Sequence, residues 1–314
     1  MGIPRLNRLL RSQGSASSIR LISLNALRGS RLVIDSSIYL YKYLAEGCFV
    51  ENLYTLSTRL RQFGIAALFV FDGKPPHEKQ EEISRRFDRK TQCKAQYQEL
   101  IKRYNEMGPC PAKHKMKYEL EKLKRQFVRL SPEDLQLAKD LVLACGLQIY
   151  DAVGEADAVC ARLVRAGVVD ACLSEDTDLF PLGCPVVLRH LSLSDSTVLR
   201  YDLSGILKDL NMSFEEFRDV CVASGCDYND SSNRSIPETI RWFEVFRKSG
   251  HSSSFLDWLT AATKYVSDPE ATSRSLELFQ LCDASVPDLK VALGKVSPRD
   301  LRSILGMNGF LFAD

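Results

Sequence analysis

Three apolar segments of the sequence each end at a carboxylate, and these carboxylates are the residues most suited to binding or catalysis. The segments end at Asp35, at Asp72 and at the Glu-Asp-Thr-Asp string of residues 175–178. Short β-branched and aromatic segments of this kind are typical of buried strands in a parallel sheet. Because ligands bind beyond the carboxyl ends of such strands, several strands should deliver acids to one crevice. Crowded carboxylates repel one another unless a cation neutralises them, and Mg²⁺ or Mn²⁺ suits an all-oxygen site.

Three further acids stand at positions of the same kind. Glu155 and Asp157 open a predicted helix, and Asp227 follows an apolar helix. An acid in a first helical turn also stabilises the helix through its dipole, so each position has an ordinary structural explanation. Seven acids at matching positions together favour a metal site.

The composition excludes several classes of protein. The chain has 314 residues, 45% of them apolar, and no apolar stretch of about eighteen residues, so we expect a sizeable core and no transmembrane helix. The first residues lack the apolar segment of a signal peptide, and Gly2 is not followed by the serine or threonine of a myristoylation signal. Ten scattered cysteines without a Cys-x-x-Cys pair predict no zinc site and favour a reducing compartment. We therefore expect an intracellular protein, nuclear or cytoplasmic.

Basic charge is concentrated in one part of the chain. Residues 77–130 carry fifteen Lys and Arg against eight Asp and Glu, a net +7, which leaves −5 for the rest of a chain of net charge +2. A basic segment attached to an acidic metal site suits a polyanionic substrate. The alternative is a solvated helical hairpin whose charges pair along its helices, and charge alone leaves both open.

The elements predicted around these acids alternate between helix and strand. The first segment, to about residue 76, is predicted as helix, strand, helix, strand, with its second helix at roughly residues 50–63. A polar helical insert follows. Further strands are predicted near residues 147–150, 168–173 and 185–189. Beyond about residue 225 the chain is mainly helical, so the predicted fold class is α/β, with a central, mainly parallel sheet flanked by helices.

In order and spacing these motifs resemble the XPG-type structure-specific nucleases, most closely the flap endonucleases. The resemblance rests on the initial Met-Gly-Ile, on Val-Ile-Asp35 and on Phe-Asp72-Gly-Lys-Pro-Pro. It rests also on Gly-Glu155-Ala-Asp157-Ala, Glu175-Asp176-Thr-Asp178 and Gly-Cys-Asp227-Tyr228. It covers nearly the whole chain and implies a PIN-like 5′-nuclease fold in one domain over residues 1–314. Within it we expect a basic helical arch at 77–130 and a degenerate helix–hairpin–helix region at 216–265.

The resemblance implies a site for two Mg²⁺ ions, for which Mn²⁺ can substitute. The metal ligands, direct or through water, would be Asp35, Asp72, Glu155, Asp157, Asp176, Asp178 and Asp227. Asp157 stands where flap endonucleases more often have glutamate, which shortens the reach by one methylene. Two such ions activate a water, hold the scissile phosphate and stabilise the leaving 3′-oxygen, so the products would be a 5′-phosphate and a 3′-hydroxyl. Asp176 is counted with the catalytic residues on this basis.

The resemblance also implies side chains that contact DNA. Lys79 and Arg86 match catalytic basic residues that bind and polarise the phosphate, and their seven-residue spacing puts both on one helix face. Tyr41 matches an aromatic residue on which a nucleobase stacks, although packing in the core with neighbouring tyrosines is the alternative. Gly2 and Arg234 belong to the N-terminal and hairpin segments that we expect to contact DNA.

The sequence departs from the family pattern in two places. Flap endonucleases have a Gly-Ile-Gly hairpin that binds a monovalent cation and the duplex backbone, but here Ser235 and Pro237 stand at the glycine positions. Glycine permits positive φ and proline removes a donor, so we expect an altered cation site and duplex contact. The sequence also carries no sliding-clamp motif and no basic tail, which is typical of a compact member such as one from a large DNA virus.

These patterns predict a Mg²⁺-dependent, structure-specific DNA endonuclease with 5′-exonuclease capacity, acting in replication, repair or recombination. Its substrate would be branched DNA with a 5′ flap or a single-strand/double-strand junction, recognised through the backbone and released by salt. A Holliday-junction or gap endonuclease of the same family and a non-catalytic DNA-binding scaffold are alternatives. A phosphatase with an aspartate nucleophile would need Thr or Val where Phe180 stands, four residues after Asp176.

Overall fold

The computed structural model describes residues 2–108, 110–229, 234–280 and 289–311. The strands are β1 (Ile19–Ser23), β2 (Arg31–Asp35), β3 (Ala66–Phe71), β4 (Gln148–Asp151), β5 (Ala171–Leu173), β6 (Val186–Ser192) and β7 (Thr197–Asp202). The helices of the first half are α1 (Leu6–Gln13), α2 (Ser36–Glu46), α3 (Phe49–Gln62), α4 (Gln80–Glu106), α5 (Pro111–Lys124) and α6 (Pro132–Ala144). Those of the second half are α7 (Ala156–Arg165), α8 (Leu203–Leu210), α9 (Phe214–Ala223), α10 (Ile236–Ser249), α11 (Phe255–Ala262), α12 (Pro269–Phe279) and α13 (Pro298–Met307).

The strands of continuous apolar sequence form the centre of a seven-stranded sheet. Its order is β1-β7-β6-β5-β2-β3-β4. The strands from β6 to β4 pair in parallel, whereas β7 pairs antiparallel with both β6 and β1. From β2 the chain moves outward through β3 to β4 and then returns to β5 on the other side of β2. This reversal makes the carboxyl ends of β2 and β5 the topological switch point, where ligands bind in open α/β sheets.

Apolar side chains are buried against both faces of the sheet. Successive residues of a strand point to opposite faces, so Val33 packs in one core with α1, α7 and α9, and Ile34 packs in the other with α2, α3 and α6. Both residues are fully buried. Helices on both faces explain why the central strands are continuously apolar instead of alternating.

A long helical hairpin follows β3. A short 3₁₀ turn at His77–Lys79 leads into α4, which is 27 residues long and buries none of them. The partner helix α5 begins with Pro111 in its first turn, and Leu120 is its buried residue. The two helices pack on each other, and Tyr97 of α4 stacks edge-on against Phe127 beyond α5. The basic insert predicted at 77–130 is therefore a hairpin attached to the domain through its ends.

Some elements differ from those that the sequence predicts. The predicted strands are present, but β1, β7 and the helices α2 and α8 were missed, so the first segment is not a simple helix, strand, helix, strand. β1 is a half-exposed edge strand whose partner β7 lies far along the chain, so its pairing cannot be read from a local pattern. None of the helices in the described ranges combines the length and the apolar composition that crossing a bilayer requires.

Candidate active site

Asp35 ends β2 at the switch point and is almost inaccessible to solvent, with 5% of its surface exposed. Its Oδ2 accepts a hydrogen bond of 2.9 Å from the hydroxyl of Ser174, the residue that follows β5. Burial, reinforced by the charges of Asp72 and Asp176, raises the pKa of Asp35 to about 8. A carboxyl group this hard to ionise lies among other acids and lacks a sufficient counter-charge.

Asp72 follows β3 and connects the sheet to the start of α7. Its Oδ1 accepts a 2.8 Å hydrogen bond from the backbone N–H of Ala156, one of the free donors of a helix N-terminus. Glu155 occupies the N-cap position of α7, and Asp157 lies in its first turn with 8% of its surface exposed. Burial and the charges of Glu155 and Asp176 raise the pKa of Asp157 well above its ordinary value.

The loop after β5 supplies two more acids and folds back on itself. The backbone N–H of Asp176 donates to the Ser174 hydroxyl at 3.0 Å, and that of Asp178 donates to Oδ1 of Asp176 at 3.1 Å. Asp178 is 1% exposed, and burial with the charges of Asp176 and Asp227 raises its pKa well above the ordinary value. Within the described part of the chain, Oδ1 of Asp178 is buried without a hydrogen-bond partner.

Two cations from the hairpin enter this acidic cluster. The ammonium of Lys79 contacts the carboxylate of Glu155 and lies 3.8 Å from Oδ2 of Asp227. The guanidinium of Arg86 contacts the same Oδ2 of Asp227. Burial lowers the pKa of Lys79, but the charges of Glu155, Asp157 and Asp227 outweigh burial and raise it above its ordinary value. The prediction that both cations lie on one helix face is only partly right, because Lys79 lies in the 3₁₀ turn before α4 and Arg86 lies on α4, but both side chains are directed at the acids.

The seven acids have the chemistry that a hard divalent cation needs. All donors are carboxylate oxygens, three of the groups are buried with raised pKa values, and one buried oxygen is unpaired. Across the described ranges, no three of the acids converge tightly enough to hold an ion, and Lys79 and Arg86 pair with Glu155 and Asp227. The residues fit a metal site, and the side chains of Lys79 and Arg86 would have to move away from the carboxylates for a metal to bind.

Hydroxyl groups that were missed from the sequence support the acids, among them those of Tyr228 and Ser174. The Tyr228 hydroxyl donates a 2.6 Å hydrogen bond to Oε2 of Glu155, and the Tyr228 ring lies 5.5 Å from the Lys79 ammonium. Ser174 joins Asp35 to the backbone of Asp176, as described above. The only sequence signal for either is adjacency, because each directly precedes or follows a motif acid.

Two of the residues predicted to contact DNA are Tyr41 and Gly2, whose surroundings differ. Tyr41 is 38% exposed, and the Lys90 ammonium lies 4.9 Å from its ring centroid, so it does not pack in the core. Gly2 has φ +77°, and a Cβ there would clash with the carboxylates of Asp176 and Asp178. Stacking at Tyr41 and DNA contact at Gly2 stay predictions.

The predicted hairpin lies partly outside the described residues, which omit 230–233. Arg234 directs Nη1 to the carbonyl oxygen of Ala223 at 3.5 Å. Ser235 is the N-cap of α10, and Pro237 lies in the first turn of that helix, where a missing N–H costs nothing. The backbone N–H of Ser235 donates to the Tyr265 hydroxyl at 3.1 Å. At these two positions the chain therefore starts a helix, and the cation site stays untested.

Family models match both halves of the site. The XPG N-terminal domain matches residues 1–93, which contain Asp35 and Asp72, and the XPG I-region matches residues 146–227, which contain the other five acids. Flap endonuclease 1 of Leishmania braziliensis is 30% identical over 303 residues, covering 90% of this chain and 73% of that protein. This chain belongs to the XPG nuclease family.

Other XPG nucleases show how far the similarity extends. Flap endonuclease 1 of Glycine max is 29% identical over 250 residues, and the chain spans 62% of that relative's length. The catalytic core of Rad2 in complex with DNA substrate superposes with a TM-score of 0.69 at 18% identity, covering 97% of this chain and 94% of that one. Flap endonuclease-1 from Methanococcus jannaschii gives a TM-score of 0.64 at 20% identity, covering 92% and 90%. At these identities the structures confirm the α/β fold.

Proposed function

We propose that this XPG nuclease is a divalent-metal-dependent endonuclease that cuts branched DNA carrying a 5′ flap. The observation that carries the proposal is the meeting of two opposite charge patterns. Acids from the ends of β2, β3 and β5 and from the start of α7 form one cluster, and two cations from the base of the hairpin, one in the 3₁₀ turn and one on α4, point into it. Phosphodiester hydrolysis needs both a site for cations and donors for a phosphate.

The carboxylates would serve as the ligands for two Mg²⁺ ions, with Mn²⁺ as a substitute. The proposed ligands are Asp35, Asp72, Glu155, Asp157, Asp176, Asp178 and Asp227. When bound, such ions lower the pKa of a water and neutralise charge on the phosphate and the leaving oxygen. Tyr228 fixes the orientation of Glu155, and Ser174 fixes Asp35 relative to Asp176.

Lys79 and Arg86 have two roles in succession. Without a ligand they pair with Glu155 and Asp227, which relieves repulsion among the acids. Once the acids are neutralised, the same side chains are free to donate to the scissile phosphate, Arg86 as a planar fork and Lys79 as a point charge. Lys79 and Arg86 would therefore exchange their contacts with Glu155 and Asp227 for contacts with DNA.

Branched DNA is the substrate class that the arrangement favours. The basic hairpin rises beside the acids and suits a single strand, whereas α9 and α10 flank the region that we expect to contact the duplex. The relatives named above are flap endonucleases, and GEN1 with Holliday junction DNA shares the fold at a TM-score of 0.61 and 18% identity. The flap is favoured over the four-way junction because the sequence relatives carry that name.

A panel of substrates tests this choice. The same labelled strand is placed in a 5′ flap, a gap, a nick and a four-way junction, and single-turnover rates are measured in Mg²⁺. We expect the flap to be cut fastest, at or next to the branch point, by at least about tenfold, which is the change expected from roughly 1.4 kcal/mol of binding. Faster resolution of the four-way junction would replace the flap assignment, and equal rates on all four substrates would overturn structure specificity.

A further inference from the structure

Glu175 is the one acid of the Glu-Asp-Thr-Asp string that the proposed metal site does not use. Both oxygens of its carboxylate contact β6. Oε1 accepts a hydrogen bond of 2.5 Å from the backbone N–H of His190, and Oε2 lies 3.4 Å from Nδ1 of His190 and 3.7 Å from Nε of Arg189. These contacts suit an anchor that attaches the loop after β5 to the neighbouring strand.

Arg189 of β6 binds the backbone of the same loop. Its Nη2 donates to the carbonyl oxygen of Glu175 at 2.7 Å, and the N–H of Asp176 donates to the hydroxyl of Ser174 at 3.0 Å. That carbonyl and that N–H belong to one planar peptide unit, which joins Glu175 to Asp176. Because both its acceptor and its donor are bonded, the peptide is held in one orientation. The direction in which the Asp176 side chain leaves the backbone is held with it.

Arg189 also contacts the loop beyond Asp178. Its guanidinium lies 5.9 Å from the ring centroid of Phe180 and 5.7 Å from that of Tyr201, and the two centroids are 5.6 Å apart. Both rings are fully buried, and Arg189 is 5% exposed. Phe180 follows Asp178 by two residues, so one guanidinium contacts the loop on both sides of the segment that carries Asp176 and Asp178.

The backbone of β6 is irregular where it meets the loop. The pairing of β6 with β7 shifts register between Arg189 and Ser192, and His190 has φ +54°, in the left-handed region. Bulges change the direction of side chains beside active sites, and strained backbone persists only where neighbouring contacts hold it. The strained residue is the one whose N–H binds Glu175. The irregularity therefore lies at the contact between β6 and the loop.

Fold stability is a weaker explanation for Arg189 than the position of the loop. Within the described part of the chain, its Nε and Nη1 are buried without a hydrogen-bond acceptor. A buried ion pair with incomplete hydrogen bonding commonly stabilises a fold no more than a well-packed apolar side chain does. An apolar side chain cannot supply the hydrogen bond to the carbonyl oxygen of Glu175.

We propose that Arg189 is a positioning residue, which holds the loop of Asp176 and Asp178 in the geometry that binds metal. This inference rests on the proposed function, because it takes these two acids as metal ligands. It predicts a change of definite sign. Electrostatics alone would raise the affinity for a divalent cation when a positive charge near the acids is lost. Loss of the loop geometry lowers that affinity instead.

Calorimetric titration with Mn²⁺ tests the role. Arg189→Met keeps an unbranched side chain beside the two rings and removes the donors, so it should weaken Mn²⁺ binding about 10–100-fold. Arg189→Lys keeps the charge but has a point donor in place of the planar fork, so it should weaken binding by a smaller factor. Flap cleavage by both variants should fall at limiting Mn²⁺ and recover at saturating Mn²⁺. Binding of flap DNA in EDTA should stay within about twofold of the wild type.

Arg200 on β7 offers a matched control. It is partly buried, its Nε is likewise buried without an acceptor among the described residues, and its Nη2 lies 3.9 Å from Asp202. Arg200→Met also removes a positive charge from the sheet but leaves the contacts of Arg189 in place. It should bind Mn²⁺ at least as tightly as the wild type. Melting temperatures show which variants are folded, and Arg189→Lys carries the test if Arg189→Met does not fold.

Two outcomes overturn the inference. One is an Mn²⁺ affinity of the folded Arg189 variants that equals or exceeds that of the wild type, and the other is an equal loss of affinity in Arg200→Met. If the wild type cuts the flap in either case, only the positioning role is wrong. If the wild type binds Mn²⁺ but cuts no flap, the proposed function is wrong, and a selective loss of affinity in the Arg189 variants still supports the role of Arg189.

Discussion

Single side chains at the acidic cluster divide into those whose position the sequence predicts and those it does not. Six of the seven acids stand at or after strand ends or at a helix start and Asp227 follows a helix, and at these positions local pattern and family motif agree. Ser174 and Tyr228 act through hydrogen bonds to acids 139 and 73 residues away. No sequence periodicity predicts such contacts, because residues with a hydroxyl group occur in loops, at helix caps and in the core. The ligand roles themselves stay predictions until a metal is measured.

Tyr228 offers the sharpest test among the supporting residues. Tyr228→Phe keeps the ring beside Phe279 and Lys79 and removes only the donor to Glu155. Loss of a hydrogen bond to a metal ligand typically weakens binding by about 10–100-fold, so calorimetric titration with Mn²⁺ should show that loss. Tyr201→Phe loses a comparable 2.9 Å bond to Asn7 and should bind Mn²⁺ like the wild type. Equal affinities for the Tyr228 variant and the wild type would contradict the role.

Gly2 can be tested against another glycine of similar backbone conformation. Gly2→Ala places a methyl group against Asp176 and Asp178, whereas Gly47, at φ +74°, has no atom near its missing side chain. Both variants bear the cost of a positive φ and should have a lowered melting temperature, but Gly2→Ala alone should abolish Mn²⁺ binding and cleavage. Similar activity losses in the two variants would show that backbone strain, not the clash, is responsible.

Asp219 is a buried acid outside the site and predicts a dependence of stability on pH. It is 6% exposed, and burial raises the pKa of its carboxyl group to about 6, although the N–H of Leu256 donates to it at 3.4 Å. The folded state therefore favours the protonated form of Asp219. The contribution of this group to the stability of the fold is fully present below the unfolded pKa of about 3.9 and is lost as the pH rises through 6.

Asp219→Asn should therefore stabilise the protein at pH 7, by on the order of 1–3 kcal/mol, and change little near pH 4. Urea unfolding at both pH values checks this, with the exposed Asp140→Asn as the control. An equal effect of Asp219→Asn at the two pH values would mean that the buried carboxyl does not titrate as described.

At the scale of elements, the parallel strands were predictable and the antiparallel pair β1 and β7 at one side of the sheet was not. Strands β2 and β3 are continuously apolar because helices cover both faces. β1 and β7 mix polar and apolar residues at an edge, and their antiparallel pairing joins distant segments. Helix α4 was predictable for the opposite reason, since it is polar throughout and needs no core.

Arg86 on α4 allows contact with the phosphate to be tested separately from metal binding. Arg86→Ala removes a donor that contacts Asp227, so single-turnover cleavage should fall by about 10²–10³-fold. Affinity for Mn²⁺ should not fall and should rise slightly, because the guanidinium no longer competes for the carboxylate. Arg89→Ala, on the same helix, should change neither quantity. A parallel loss of metal affinity and rate in Arg86→Ala would show that the arginine only organises the acids.

Across the whole molecule, charge is divided between two parts that the fold brings together. The segment 77–130 carries the net +7, the remainder carries −5, and the seven acids of the candidate site all belong to that remainder. The sequence predicts this division because the charged residues of each part can be counted. It does not predict the contacts of Lys79 and Arg86, which depend on how the hairpin is attached between β3 and α6.

Cleavage of a labelled 5′-flap duplex in Mg²⁺ tests the central claim most directly, namely that the acidic cluster is the catalytic metal site of a flap endonuclease. The wild type should release the flap with a 5′-phosphate on the product. Asp176→Ala should lose at least about 10³-fold in rate, since removing a catalytic group typically costs that much. Asp140→Ala, at an exposed acid on α6, should cut normally. Unchanged cleavage by the Asp176 variant, or none by the wild type, would contradict the account.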